Sequence, residues 1–126
     1  MATIKCFEDL LVWQKARVLV KRIYSITSSF PREEKFGLID QIRRAVVSII
    51  ANVAEGFSRY RIAETVMFYR TARGSLSEVK NHLYIALDLG YINSTEFKKL
   101  VETIDEIGKM LNGLINSTEN YRKTKL

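Results

Sequence analysis

Glu78 and His82 stand four residues apart, the spacing that lets two side chains meet on one helix face. Such a pair supplies two metal ligands. A di-iron centre in a helix bundle needs four inward carboxylates and two Glu-x-x-His pairs. His82 is the one histidine in the chain, so no metal is expected, and the pair reads as a partly exposed helix contact. Cys6 has no local histidine, and adjacent Lys5 alone is thin support for a reactive thiolate. Neither GLID (Gly37 to Asp40) nor ARGSL (Ala72 to Leu76) carries the lysine and flanking strand of a phosphate loop. No catalytic residue and no cofactor is assigned, and the chain reads as a non-enzyme.

Polar residues inside apolar segments point to assembly instead. In SIIANVAEGFSRYR (Ser48 to Arg61), Asn52 and Glu55 interrupt a buried-looking run that Gly56 then breaks. A buried amide or carboxylate without a partner costs several kcal/mol. The pair therefore reads as a polar lock fixing register between helices or subunits, with Arg43, Arg44 or Arg59 as partner for Glu55. Gly56 either lets another backbone approach or turns the chain before Ser58. Gly74 and Ser75 invite the same close-packing argument, since glycine inside a helix costs roughly 1 kcal/mol against alanine. Trp13 belongs with these packing positions.

The basic residues offer a second chemistry. Arg70, Arg73 and Lys80 line one side of a helix, and Lys15 and Arg22 are seven apart. Arg43 and Arg44 adjoin an apolar seam, and Arg59-Tyr60-Arg61 places two cations around an aromatic at a helix junction. Cations hold phosphates without reading sequence, and an aromatic can stack on an unpaired base. The competing reading is a solvated face with salt bridges to Glu34, Asp40, Glu64 or Glu78.

Four helices must position all of this. Val12, Ala16, Leu19, Ile23 and Ile26 recur at helical spacing in a segment from about 8 to 28, which Pro31 closes. Ile42, Val46, Ile49 and Val53 lie on a wide seam within 33–57. Phe68, Ala72, Leu76, Val79 and Leu83 face inward in 63–89, with Gly90 as C-cap. Ser94 or Thr95 opens the fourth segment, 95–118, and the polar tail 119–126 is expected to fray. Short connections make neighbours antiparallel, so the expected fold is all-α, a single domain over 1–126 built as an up-down-up-down four-helix bundle.

A chain of 126 residues suits one domain, and one cysteine cannot form an internal disulfide. No apolar run approaches the ~18 residues of a membrane span, and Met1-Ala2-Thr3-Ile4-Lys5 does not read as a signal peptide. A cytoplasmic location and no membrane partner are expected. The net charge of +6 is uneven. Residues 1–61 hold 11 Lys/Arg against 6 Asp/Glu, and residues 62–126 hold 9 against 8. A basic half favours a polyanion.

FEDLLVWQKA (Phe7 to Ala16), FPREEKFGLIDQIRRAVVSIIANVAEG (Phe30 to Gly56) and ARGSLSEV (Ala72 to Val79) together resemble a known family. It is the four-helix-bundle family encoded by intervening sequences in bacterial 23S ribosomal RNA genes, also called the S23 ribosomal protein family. The resemblance covers about Phe7 to Ile115. It implies an antiparallel four-helix bundle assembling into a pentameric, barrel-like ring. It also implies kinship in shape with the accessory variability determinant of diversity-generating retroelements, which is basic, binds nucleic acid and works beside a reverse transcriptase. Where relatives tend to carry a small polar cap before helix three, this chain has Arg61 and Ile62.

The leading expectation is a non-catalytic homo-oligomer, suspected to be a pentamer, that meets RNA or DNA through phosphates. The alternative is a protein-interaction scaffold or accessory subunit without nucleic-acid contact. Gathering of Arg59, Arg61, Arg70, Arg73 and Lys80 on one surface favours the first; pairing of each with an acid favours the second.

Overall fold

A computed structural model describes residues 4–125, with side chains described as far as 121. A 3-10 turn at Phe7–Asp9 leads into α1 (Leu11–Thr27), followed by a second 3-10 turn (Arg32–Glu34) and by α2 (Leu38–Phe57), α3 (Ile62–Asp88) and α4 (Ser94–Lys125). The four expected helices are present with shifted ends. α1 and α2 each begin after a separate 3-10 turn rather than at residues 8 and 33. α4 continues to Lys125, so the tail expected to fray is helical through that residue; Leu126 lies outside the described residues, as does the Met1–Thr3 part of the N-terminal reading. Within this extension Thr118 Oγ1 donates to the Leu114 carbonyl, and Glu119 is tied to Arg70 of α3.

Antiparallel packing can be read from the cross-links. Ser48 faces Ser75, and Gly56 faces Tyr69, so α2 and α3 run oppositely. Lys80 meets Asp105, Arg73 meets Asn112 and Arg70 meets Glu119, which does the same for α3 and α4. Arg22 with Thr103, and Lys15 with Glu106, close α1 onto α4. Among the described residues the backbone of each helix runs close to its two neighbours, and all four helices share one core. The result is all-α, four helices packed in sequence order.

The seams bury as their periodicity dictates except at Phe68, expected to face inward but half-buried, with Val66 and Tyr69 buried on either side of it. Leu19, Ile23, Ile42, Ile49, Leu83 and Ile107 are fully enclosed, each worth ~1.5–3 kcal/mol on burial. Val66, Tyr69 and Ile115 form a small second cluster around the α3 start. The wide stripes of α1 and α2 are partly used inside the chain: Trp13, Val20, Ile39 and Ile50 pack against the core, whereas Leu11, Val18 and Val47 are exposed.

Helix ends explain the register. Gly90 takes φ +77°, Tyr91 N–H donates to the Ala86 carbonyl and Gly90 N–H to that of Leu87, which ends α3 as expected. α4 is capped by Asn93, not by Ser94 or Thr95. The Asn93 side-chain Oδ1 accepts from Glu96 N–H at 2.8 Å, and Glu96 Oε1 accepts in return from Asn93 N–H at 3.4 Å. α3 starts after Arg61 with no side-chain cap. At the opposite end, Glu34 accepts from Leu38 N–H and from the Tyr91 hydroxyl at 2.9 Å, tying the α1–α2 connection to the α3–α4 one.

Candidate nucleic-acid interface

The helices distribute the candidate cations over separate faces. On α3, Arg70 pairs with Glu119 at 2.7 Å and Lys80 with Asp105 at 3.0 Å. Arg73 donates to the Asn112 side-chain oxygen at 3.0 Å. On α1, Lys15 pairs with Glu106 at 3.1 Å and Arg22 donates to Thr103 Oγ1 at 2.9 Å. At the α2–α3 junction Arg59 is held by Glu55 at 2.7 Å and lies over the Phe68 ring at 4.7 Å. Tyr60 is fully exposed; Arg61 is exposed, its carbonyl accepting from Thr65 N–H while its side chain has no hydrogen bond or ion pair among the described residues. Arg43 stands 16 residues before Arg59, roughly 24 Å along the bundle at helical rise. The structure therefore does not bring Arg59, Arg61, Arg70, Arg73 and Lys80 onto one free surface.

It does bring Arg43 and Arg44 together in an open groove of about 720 Å³ between α1 and α2. Tyr24, Lys35, Phe36, Ile39 and Val47 also line it. Arg43 is pre-positioned: its Nε donates to Thr27 Oγ1 at 2.9 Å, and its guanidinium lies 4.5 Å over the Tyr24 ring. Thr27 is itself fixed, donating to the Ile23 carbonyl at 2.7 Å. Arg44 is paired with Asp40, the one acid in the groove, at 2.9 Å. Lys35 and Arg43 have no acidic partner there. Phe36 is 87% exposed.

Sequence reasoning missed Tyr24, Lys35 and Phe36. The available signal was Lys35-Phe36-Gly37, an aromatic in the break after Pro31 where no core face claims it.

The packing candidates separate equally clearly. Asn52 Nδ2 donates to the Ser48 carbonyl at 2.8 Å and to its hydroxyl at 3.0 Å; the Ser48 and Ser75 hydroxyls lie 2.8 Å apart. That chain is a polar link from α2 to α3 within one subunit. Glu55 is not part of it, because it points outward to Arg59. Gly56 is a close approach: a Cβ there would meet the Tyr69 ring at 2.8 Å. Gly74 is exposed, with nothing within 4 Å of a built Cβ, so close packing does not explain it inside the chain. Trp13 packs on Phe7 at 5.2 Å and carries Arg17 over its ring.

The catalytic candidates gain nothing. His82 is buried, 6% exposed, rather than partly exposed, and its Nε2 lies 3.2 Å from Glu78 while Nδ1 has no partner. Among the described residues no three His, Cys, Asp or Glu gather as metal ligands. The Cys6 thiol donates to Asp9 at 3.2 Å, which pushes its pKa up and away from the reactive thiolate. The hydrogen bond to Glu34 raises Tyr91, and burial pushes Tyr69 up to about 12. No helix among the described residues is long and apolar enough to cross a membrane.

None of the curated proteins matches the chain in sequence. A solved structure similar to it is a protein of unknown function from the S23 ribosomal protein family of Bacteroides thetaiotaomicron VPI-5482. The two share 23% identity with a TM-score of 0.75, over 83% of this chain and 98% of that one, a likeness of fold. The family model for the 23S rRNA-intervening sequence protein matches residues 8–113, from the 3-10 turn before α1 well into α4. With that span matched, the chain belongs to the 23S rRNA-intervening sequence protein family.

Proposed function

We propose that this chain is a non-catalytic, self-assembling module that binds RNA or DNA through the phosphate backbone. The observation that carries the reading is the α1–α2 groove, where exposed Lys35 and half-buried Arg43 have no acidic partner among the described residues. The guanidinium of Arg43 is held in place by Thr27 and Tyr24, so little ordering remains to oppose a phosphate contact. The number of copies implied by the family resemblance is five. Repetition multiplies a weak patch, because each bound site raises the effective concentration at the next.

A titration of labelled RNA and DNA, single- and double-stranded, followed by fluorescence anisotropy at about 50 and about 200 mM salt, tests the reading. Log affinity should fall with log salt at a slope of about −0.9 per duplex phosphate contacted. Folded protein that binds none of the four at low salt removes the proposal.

A second reading, an interaction scaffold with no nucleic-acid contact, is favoured by the pairing of Lys15, Arg59, Arg70 and Lys80 with acids. The exposed Leu11, Val18 and Met67 support docking of a sister copy or another protein. Self-assembly without nucleic-acid affinity in the same titration favours the scaffold.

A further inference from the structure

The α1–α2 groove has features that phosphate binding does not require. Phosphate contact calls for cations and solvent, yet Phe36, Ile39 and Val47 give this groove an apolar side. Among the described residues Phe36 is the most exposed large apolar side chain after Tyr60, and no aromatic ring packs on it. Lys35 Nζ lies over the ring, 5.4 Å from its centre, so one face carries a cation and the other is left for a stacking partner. Arg43 covers the Tyr24 ring, donates from Nε to Thr27 and from Nη2 to the Tyr24 carbonyl at 3.4 Å, so the guanidinium plane is set while Nη1 has no partner among the described residues. Asp40, the one acid in the groove, is engaged by Arg44. An exposed ring, apolar walls and two cations without acids match one ligand chemistry. It is a flat, π-faced group with a phosphate attached.

We propose that this groove seats an unpaired nucleotide, its base stacked on Phe36 and its phosphate on Arg43 and Lys35. The protein then prefers single-stranded to double-stranded nucleic acid. The inference rests on the nucleic-acid reading above and adds the class of ligand. Bases in a duplex hide both π faces in the helical stack, whereas unpaired bases offer them to aromatic side chains. A cleft of about 720 Å³ lies within the range of small-ligand sites. A second copy is a poorer occupant when two grooves meet face to face, because Lys35 and Arg43 of each copy would oppose those of the other.

The test uses the full chain and three variants: Phe36→Ala, Phe36→Trp and Lys35→Ala. The probes are labelled oligo(dT), oligo(U) and a duplex of the same length, titrated by anisotropy, with the assembly mass measured by light scattering. Phe36 is at the surface, so its replacement leaves the core intact. The wild-type protein should bind both single strands more tightly than the duplex. Phe36→Ala should lose about tenfold on the single strands and nothing on the duplex, and Phe36→Trp should keep the wild-type preference. Lys35→Ala should weaken all three and flatten their salt dependence. An unchanged single-strand affinity in Phe36→Ala overturns the proposal. So does equal weakening on strand and duplex, or a fall in assembly mass, which would assign the groove to a second copy. Wild-type protein that binds the duplex without single-strand preference overturns this inference and leaves the phosphate reading standing; wild-type protein that binds nothing removes both. Comparison of oligo(dT) with oligo(U) distinguishes DNA from RNA as the source of the unpaired base.

Discussion

A methyl group at Gly56 would have nowhere to go. Its Cβ would stand 2.8 Å from the Tyr69 ring and 3.0 Å from the Phe68 Cβ, where α2 and α3 converge on the turn between them. Tyr69 is buried and has little room to yield. Alanine gains roughly 1 kcal/mol of helix propensity, but overpacking of this kind costs about 1–3 kcal/mol. Gly56→Ala should therefore lower the thermal midpoint by several degrees, as measured by circular dichroism. An equal or higher midpoint would show that the rings move aside. Of the two jobs the sequence leaves open for Gly56, the structure selects close approach, by side chains rather than by backbone. The outward turn of Glu55 and the open space at Gly74 were not legible. A residue's own helix periodicity states which direction it faces. What stands opposite depends on a chain segment tens of residues away.

Helices are more legible than their ends. The seams of α1 to α4 follow from apolar spacing alone, because burial of one stripe is the main favourable term and recurs every three or four residues. Caps depend on one backbone conformation and one hydrogen bond, and Asn93, Ser94 and Thr95 are all chemically able to cap α4. The reciprocal bonds with Glu96 assign the role to Asn93. Asn93→Ala should cost about 1 kcal/mol, read as a lower urea midpoint at unchanged slope, whereas Ser94→Ala and Thr95→Ala should cost little. A larger loss at Ser94 would mean that the cap shifts by one residue in solution. The far end of α4 runs beyond its apolar seam for a related reason. NYRKTKL is polar and suggests fraying, but the preceding Glu119 is claimed by Arg70, 49 residues earlier, and the helix extends beyond that tie.

Across the whole molecule, the charge imbalance of the sequence becomes a difference between faces. Arg70 and Lys80 of α3 are answered by acids of α4, and Arg73 by an amide. In the α1–α2 groove Arg44 is answered by Asp40, while Lys35 and Arg43 have no acid among the described residues. This leaves α3 with an outward stripe of Met67, Thr71, Gly74 and Asn81, all exposed and spaced at helical intervals. Gly74 is the telling member. It costs roughly 1 kcal/mol inside a helix, and no atom of the described residues uses the space it leaves. If α3 meets a sister copy along this stripe, that space is what admits the neighbouring helix, and the missing compensation lies between subunits. Gly74→Leu should then reduce the assembled mass on a sizing column while the helical signal in circular dichroism is retained. Gly74→Ala supplies the complementary arm. On a chain that works alone it should raise stability by about 1 kcal/mol, since it adds helix propensity and meets nothing. In an assembly packed tightly at this stripe that gain should vanish or reverse. Unchanged mass in Gly74→Leu, together with the full gain in Gly74→Ala, would place any subunit contact elsewhere, with exposed Leu11 and Val18 of α1 as the next surface to vary.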